Sequence, residues 1–400
     1  MDFWGYEHLD GSAGVRNYLA IMSEGSMANM ILQIAEEVRG AVPIFVADST
    51  LRLKEDRDRA RRTMIGLGKN PNVGGVLLVG FGGGHIDLDT VAAEISQTKK
   101  PIETVTVRSS QGYAPAMTRA TTTARLLMGE VSQRKRKQVP LSGLMLGLKC
   151  GGSAGNSGLL GNLATGRVVD QMISAGGSAV FSETAEVTGA DHLLAKRAVD
   201  ATVARRLKET MDRTEARIKS WGEDIRGSQP TTGNIQSGLT TLEEKSLGAL
   251  AKTGTGPLHG VLEHAEQPHG KGLFFMDGPA STISLLVGEA AAGAQIVIFS
   301  LGGGPSSSSR SLPGWGLSGL PLVPTISVVS NISAPLDPWE QDFFDIHCQG
   351  VIDNKESIDQ VANRLMAETL AVASGKLTRA EVSLPSCWTT LEMYHTGPVL

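Results

Sequence analysis

Residues Leu141–Gly161 read LSGLMLGLKCGGSAGNSGLLG. An apolar run, Leu141–Leu148, ends at Lys149–Cys150. A glycine-rich loop follows, and apolar periodicity resumes near Leu159. The pattern predicts strand, tight loop, helix. Such a junction sets backbone N–H groups and the positive end of a helix at the carboxyl edge of a sheet, where open α/β sheets bind ligands. It puts the thiol of Cys150 on the same edge.

The same alternation extends outward in both directions. Tyr18–Met22, Val42–Ala47, Gly75–Phe81 and Ile102–Val107 read as strands between helical Met27–Val38, Lys54–Leu67 and Leu88–Thr98. Downstream, Ser178–Phe181, Gly272–Met276, Ala294–Leu301 and Pro324–Ser330 read as buried strands. Ala114–Glu130, Leu159–Ser174, Ala195–Trp221, Thr240–Ala251, Leu285–Ala292 and Ser357–Ala373 read as helices. The expected fold class is α/β, with mostly parallel sheets of Rossmann-like βαβ units in two to three subdomains. Basic Ser132–Pro140 (SQRKRKQVP) reads as a solvated linker, and polar Trp221–Gly233 as a second break. These give an N-terminal subdomain at 1–138, a central one at 139–228 and a C-terminal one at 229–400.

Composition narrows the function. The 400 residues are 41% hydrophobic and 20% charged, with 48 glycines that suit many tight βα turns. A net charge of −4 gives no reason to expect nucleic acid or an acidic membrane surface. Cys150, Cys348 and Cys387 lie far apart without a CxxC spacing, which argues against a disulfide framework and fits a reducing cytoplasm. The N-terminus lacks a signal pattern, and no apolar run suits a membrane helix. Gly80–His85 (GFGGGH) lacks the third glycine of a dinucleotide fingerprint, so it reads as a tight turn.

Two groups carry chemistry. Glu183 and Glu186 sit just past a strand end, with Asp191 and His192 at the next helix start. They read equally as a divalent-metal ligand set or as a helix-start acidic cluster. Lys245 lies near the start of Thr240–Ala251, where the helix dipole disfavours positive charge and would suit a base or a carboxylate-binding group. The bland alternative is an exposed lysine paired with Glu243 or Glu244. Ser306–Ser311 reads as a substrate lid. The last 25 residues, with Cys387 and His395, read as turn-rich surface or interface chain.

Several stretches resemble the altronate and galactarate dehydratases, a family that includes the large subunit of sulfolactate sulfo-lyase. Asp10-Gly11, Gly14 and Arg16-Asn17 resemble its N-terminal DG motif, and Asn70–Gly80 (NPNVGGVLLVG) its NPNVGGVLVVG. Leu146–Gly158 resembles a segment beginning LGLQCGGSD, and Gly176–Leu194 one with SET, E and GAEHLL. Gly233–Gly254 is similar to a segment with GLTTI, EKSLG and KGG, and Lys271–Asp277 to one ending FMD. The resemblance implies a lyase that removes water, or sulfite, from a hydroxy acid or sugar acid to give a 2-keto acid. It also implies a divalent metal, ferrous iron first and manganese second.

Such an elimination needs a base for the α-proton, an acid for the leaving group and donors for the carboxylate. On chemistry and position, the metal-side groups are Cys150, Glu183, Glu186 and Cys348, with His192 beside them. The catalytic candidates are Lys245, His192 and Glu183. Arg16, Asn17, Gly151, Gly152, Ser153, Asn234, Thr240 and Thr241 are the candidate substrate contacts. The chain departs from the family pattern at Ser26, at Gly80–His85 (against GLGCE) and at Ala154 (against the Asp of CGGSD). A separately encoded small subunit of about a hundred residues and a homo-oligomer are expected. A carbon–sulfur lyase, or a divergent lyase or hydrolase acting on a hydroxy acid, is the first alternative. A non-catalytic binding protein that kept the fold is the second.

Overall fold

A computed structural model describes residues 1–46, 53–84, 86–302, 320–330, 344–383 and 394–396. Strands β1 (Asp2–Glu7) and β2 (Ala13–Gly14) pair antiparallel. Four parallel strands follow: β3 (Tyr18–Glu24), β4 (Ala41–Val46), β5 (Val73–Gly80) and β6 (Ile102–Thr106), in the spatial order β4-β3-β5-β6. All eight residues of β5 are buried, which is why its sequence is a continuous apolar and glycine run without alternation.

The basic run at 132–140 is not merely a linker. Its second half is strand β7 (Lys137–Pro140), which pairs antiparallel with β1. Phe3 and Val139 face each other there and both enter the core, so two inward residues outweigh the polar surroundings.

The second sheet has seven strands, every pair parallel: β8 (Met145–Gly151), β9 (Ser178–Phe181), β10 (Leu258–Leu262), β11 (Gly272–Met276), β12 (Ile296–Leu301), β13 (Thr325–Val329) and β14 (Ile346–His347). Their order is β10-β11-β9-β8-β12-β13-β14. The strands from 139–228, β8 and β9, therefore lie in the middle of a sheet whose other strands come from 229–400. The expected break near residue 228 falls inside one hydrogen-bonded unit, because β11 and β12 flank that pair on its two sides. Chain order reverses between β8 and β12, the place where such sheets open a crevice at their carboxyl ends.

Helices Lys54–Lys69 and Thr282–Ala291 pack between the two sheets. Gly66 permits the contact: a Cβ there would lie 2.4 Å from the carbonyl oxygen of Ala291. The NPN turn ties the layers further. Buried Asn70 donates to the carbonyls of Ala290 and Ala294, and buried Asn72 to those of Gln295 and Leu322. Losing either amide would orphan buried carbonyls.

The long charged helix begins at Ala201, six residues later than its periodicity suggests, and ends at Ser220. Asp200 caps it, accepting from the backbone N–H groups of Thr202 and Val203. Among the described residues, no helix is long and apolar enough to cross a membrane. The expected lid at 306–311, together with His85 and Cys387, lies outside the described residues.

Candidate active site

Register builds the site. Leu148 of β8 is level with Phe181 of β9, so the next residues on each strand, Lys149–Cys150 and Ser182–Glu183, emerge side by side at the carboxyl edge. The chain then turns through Glu183, which sits at φ +79°, a conformation few residues other than glycine adopt. Its carboxyl is not spent on capping the short helix Thr184–Val187. Instead it receives the ammonium of Lys149. Strain at a buried acid, held by its surroundings, is a feature of functional sites more often than of ordinary turns.

Glu186, one turn on, is also buried. It accepts from the Cys150 thiol at 2.9 Å and from the Lys252 ammonium at 2.5 Å. Lys252 Nζ lies 3.2 Å from Cys150 Sγ as well. Lys252 arrives on the turn Ala251–Thr253, which sits hard against helix Gly161–Ser174. That approach needs Gly166, where a Cβ would lie 2.1 Å from the carbonyl oxygen of Ala251.

The cluster thus holds two ammonium groups, two carboxyl groups and a thiol, all buried. Burial disfavours charge on every member, and opposite neighbours restore it selectively. For Lys149, Glu183 and Glu186 outweigh burial and hold its proton more firmly than usual. For Lys252, Cys150 and Glu186 do the same. Burial and the adjacent Glu186 raise the proton affinity of Glu183. Burial opposes charge on Glu186 too, but Lys252 and Lys149 prevail and keep it ionised. Burial and Glu186 push the Cys150 thiol up to about 12, so it is a neutral donor rather than a thiolate.

A cavity of about 360 Å³ opens onto this cluster. Lys149, Cys150, Glu183 and Glu186 form one wall; Gly151, Gly152 and Ser153 form a second; Gln229, Asn234 and Lys245 form the third. Asn234 donates its side-chain amide to the Ser153 carbonyl at 3.0 Å, which fixes the glycine loop against the helix Thr232–Gln236. Lys245 projects from helix Leu242–Leu250 and donates to Gln229 Oε1 at 2.5 Å. The neighbouring glutamates do not pair with it: Glu243 bonds Arg226, and Glu244 bonds Thr240.

Of the residues singled out in the sequence, the fold brings Cys150, Gly151, Gly152, Ser153, Glu183, Glu186, Asn234 and Lys245 to one cavity. It places the others elsewhere. Arg16 is a structural clamp, bonding both Glu381 oxygens and the carbonyls of Val15, Val372 and Lys376. Asn17 donates to the Val131 carbonyl. Thr240 and Thr241 organise the start of Leu242–Leu250 through Glu244. His192 lies exposed on the short helix Asp191–Ala195, outside the cavity wall.

Cys348 follows β14, three strand positions from β8 and hence roughly 14 Å from Cys150 at ordinary strand spacing. It is core packing, and the two sulfurs cannot share an ion. Nor do the remaining donors suit a divalent metal as arranged. Cys150, Glu183 and Glu186 each already face an ammonium group. Among the described residues, no three His, Cys, Asp or Glu side chains converge as a ligand set.

The sequence reading missed Lys149, Lys252 and Gln229. Lys149 had been absorbed into the end of an apolar run. Lys252 stands at the lysine of the KGG segment noted above, but sits 102 positions from Cys150. The signal for Lys149 was local: a charged residue stands inside an otherwise apolar strand, directly before Cys150.

Residues 141–390 match the family described as D-galactarate/Altronate dehydratase, C-terminal, and residues 5–132 match D-galactarate dehydratase/Altronate hydrolase, second domain. The chain is 31% identical to (2R)-sulfolactate sulfo-lyase subunit beta of Chromohalobacter salexigens, over 95% of this chain and 94% of that one. It is 28% identical to altronate dehydratase of Bacillus subtilis, over 95% of this chain and 75% of the relative. It is 29% identical to galactarate dehydratase (L-threo-forming) of Escherichia coli, over 94% and 73% respectively.

Proposed function

The chain belongs to the D-galactarate/altronate dehydratase family, and from that premise we infer that it is a carbon–oxygen lyase acting on a hydroxy acid or sugar acid. One observation carries the reading. A cavity wall presents the Lys149–Glu183 pair, in which an acid with raised proton affinity touches a firmly protonated ammonium. That is a proton carrier beside a fixed positive charge.

Elimination of water from a 2,3-dihydroxy acid breaks the C2–H bond. The electron pair forms the C2–C3 double bond as the C3–O bond breaks. The departing hydroxyl takes a proton to become water, and the enol left behind tautomerises to a 2-keto acid. In its ionised form Glu183 accepts the α-proton, and it can return one to the leaving hydroxyl on the same face. Lys149 offsets the negative charge that grows on the substrate carboxylate as C2 loses its proton. Lys245, Asn234 and the Gly151–Ser153 loop receive that carboxylate in the ground state. A panel of hydroxy acids, assayed for 2-keto acid with wild type and Glu183→Gln, tests the reading. Absence of keto acid from every member would overturn it.

A second reading is a carbon–sulfur lyase. The cavity carries two lysines, Lys149 and Lys245, and sulfite leaves as an anion that needs charge compensation rather than a proton. The relative named as a sulfo-lyase supports including sulfolactate in the panel, read by sulfite release. Its designation as subunit beta also supports a partner subunit. A separate small subunit is proposed here, checked by co-purification, together with self-association of this chain, checked by light scattering.

A further inference from the structure

We infer that the Cys150–Glu183–Glu186 cluster is neutralised by lysines rather than by a divalent metal, with the ammonium of Lys252 on Cys150 and Glu186, and that of Lys149 on Glu183, standing where a ligand-bound cation would have to sit. The inference deepens the lyase reading and rests on it for the role of the charge, though not for its presence.

The cluster has no negative charge to spare. Two firmly protonated ammonium groups face ionised Glu186 and Glu183, whose proton affinity is raised, and Cys150 contributes a thiol. A divalent ion added among them would leave an uncompensated double positive charge among side chains that are almost wholly enclosed at the cavity wall. Low-dielectric surroundings make that strongly unfavourable. The cluster is closed geometrically. Glu186 spends one oxygen on Cys150 at 2.9 Å and the other on Lys252 at 2.5 Å. The Cys150 sulfur has Lys252 at 3.2 Å, and Glu183 has Lys149. For an ion to bind, an ammonium would have to leave a site where both lysines are almost wholly enclosed, at 4% and 2% exposure.

No carboxylate follows the thiol in its own loop either. Position 154 is alanine, and its N–H is engaged by the Ser157 hydroxyl. Lys149 adds positive charge at the strand end, and the Gly151–Ser157 loop that follows adds no negative charge. Lysine can supply what elimination asks of a cation, a fixed charge next to the substrate carboxylate.

The test uses the whole protein, purified anaerobically and offered Fe2+, Mn2+ and Mg2+ in turn, then desalted and analysed for metal. Far less than one equivalent per chain is expected, with no shift in melting temperature. Titration with Co2+ should give no thiolate-to-cobalt charge-transfer band. A full equivalent that disappears in Glu186→Gln, or a cobalt–thiolate band, overturns the inference. Metal retained in both Glu183→Gln and Glu186→Gln binds elsewhere and leaves the cluster lysine-neutralised. Turnover is read separately. Keto acid formed at an unchanged rate in the presence of a chelator supports both readings. No turnover with any acid sinks the lyase reading alone.

Discussion

The ammonium of Lys149 and the carboxyl of Glu183 meet inside the protein, side by side at the ends of adjacent strands, with each side chain less than a tenth exposed. Removing Glu183 takes from buried Lys149 its nearest counter-charge, and removing Lys149 leaves a buried acid that must take up a proton or stay unpaired. Glu183→Gln and Lys149→Met should each cost about 3–5 kcal/mol of stability. The double variant should cost clearly less than the two together. Urea denaturation of the four proteins measures this. Additive losses would mean that the pair is not coupled. The double variant should remain folded and inactive, which separates the chemical role of Glu183 from its structural one.

Lys245 differs, because its hydrogen-bond partner is the neutral Gln229 and it faces the cavity. Lys245→Ala should fold normally and lose its grip on the substrate carboxylate. A loss of roughly 10- to 100-fold in kcat/KM is expected, the size of one hydrogen bond to a charged group. The loss should fall mainly on KM. A collapse of kcat with KM unchanged would instead assign Lys245 to the proton-transfer step.

How much of this was legible from residues alone depends on distance along the chain. The apolar runs GVLLVG and IVIFS announced buried parallel strands because both faces of each strand are covered. Cys150, Glu183 and Glu186 were found because strand ends are marked locally, by glycine and by the break in apolar pattern. Lys252 was not, because its partnership with Cys150 and Glu186 exists only through strand order and the close approach at Gly166. Arg16 shows the converse. It sits in a distinctive motif, yet its partner, Glu381, is 365 positions away, and the pair is a clamp rather than an anion contact. Local pattern reports an element and its edge; which edges meet is decided by packing.

His8 makes a pH dependence that can be signed. Its ring bonds the Pro71 carbonyl through Nε2 and lies against the Arg134 guanidinium through Nδ1, an arrangement suited to the neutral form. Burial, then the charge of Lys100, lowers its pKa to about 4, with Arg134 acting in the same sense and Asp10 opposing. The unfolded chain binds the proton near 6.5 and the folded chain only near 4. Stability from this group is therefore full above about pH 6.5 and is lost as pH falls through about 4. The urea midpoint should drop between pH 7 and 4.5 in wild type. His8→Gln should show a shallower drop. Parallel slopes would remove His8 as a source of acid lability.

Glu289 should behave in the opposite sense. It lies in helix Thr282–Ala291, beneath β8, and among the described residues no hydrogen bond of good geometry reaches its carboxyl oxygens, the backbone N–H of Leu148 being close enough only to favour the charged form slightly. Its nearness to Gly147, where a Cβ would lie 2.6 Å from Oε2, shows how tightly the strand covers it. Burial raises its pKa well above the usual carboxylate range, and the charges of Lys252 and Lys149 offset only part of the effect. The folded chain thus keeps a proton that the unfolded chain releases. Stability from this group is present at low pH and declines as pH rises above the ordinary glutamate value toward the raised one. Glu289→Gln keeps the shape and removes the titration. The variant should equal or exceed wild type in stability at pH 8, and its advantage should vanish near pH 4. An unstable variant at pH 8 would mean that Glu289 is ionised in the fold, as a third anion serving Lys149 and Lys252, and the charge balance of the cluster would then have to be redrawn.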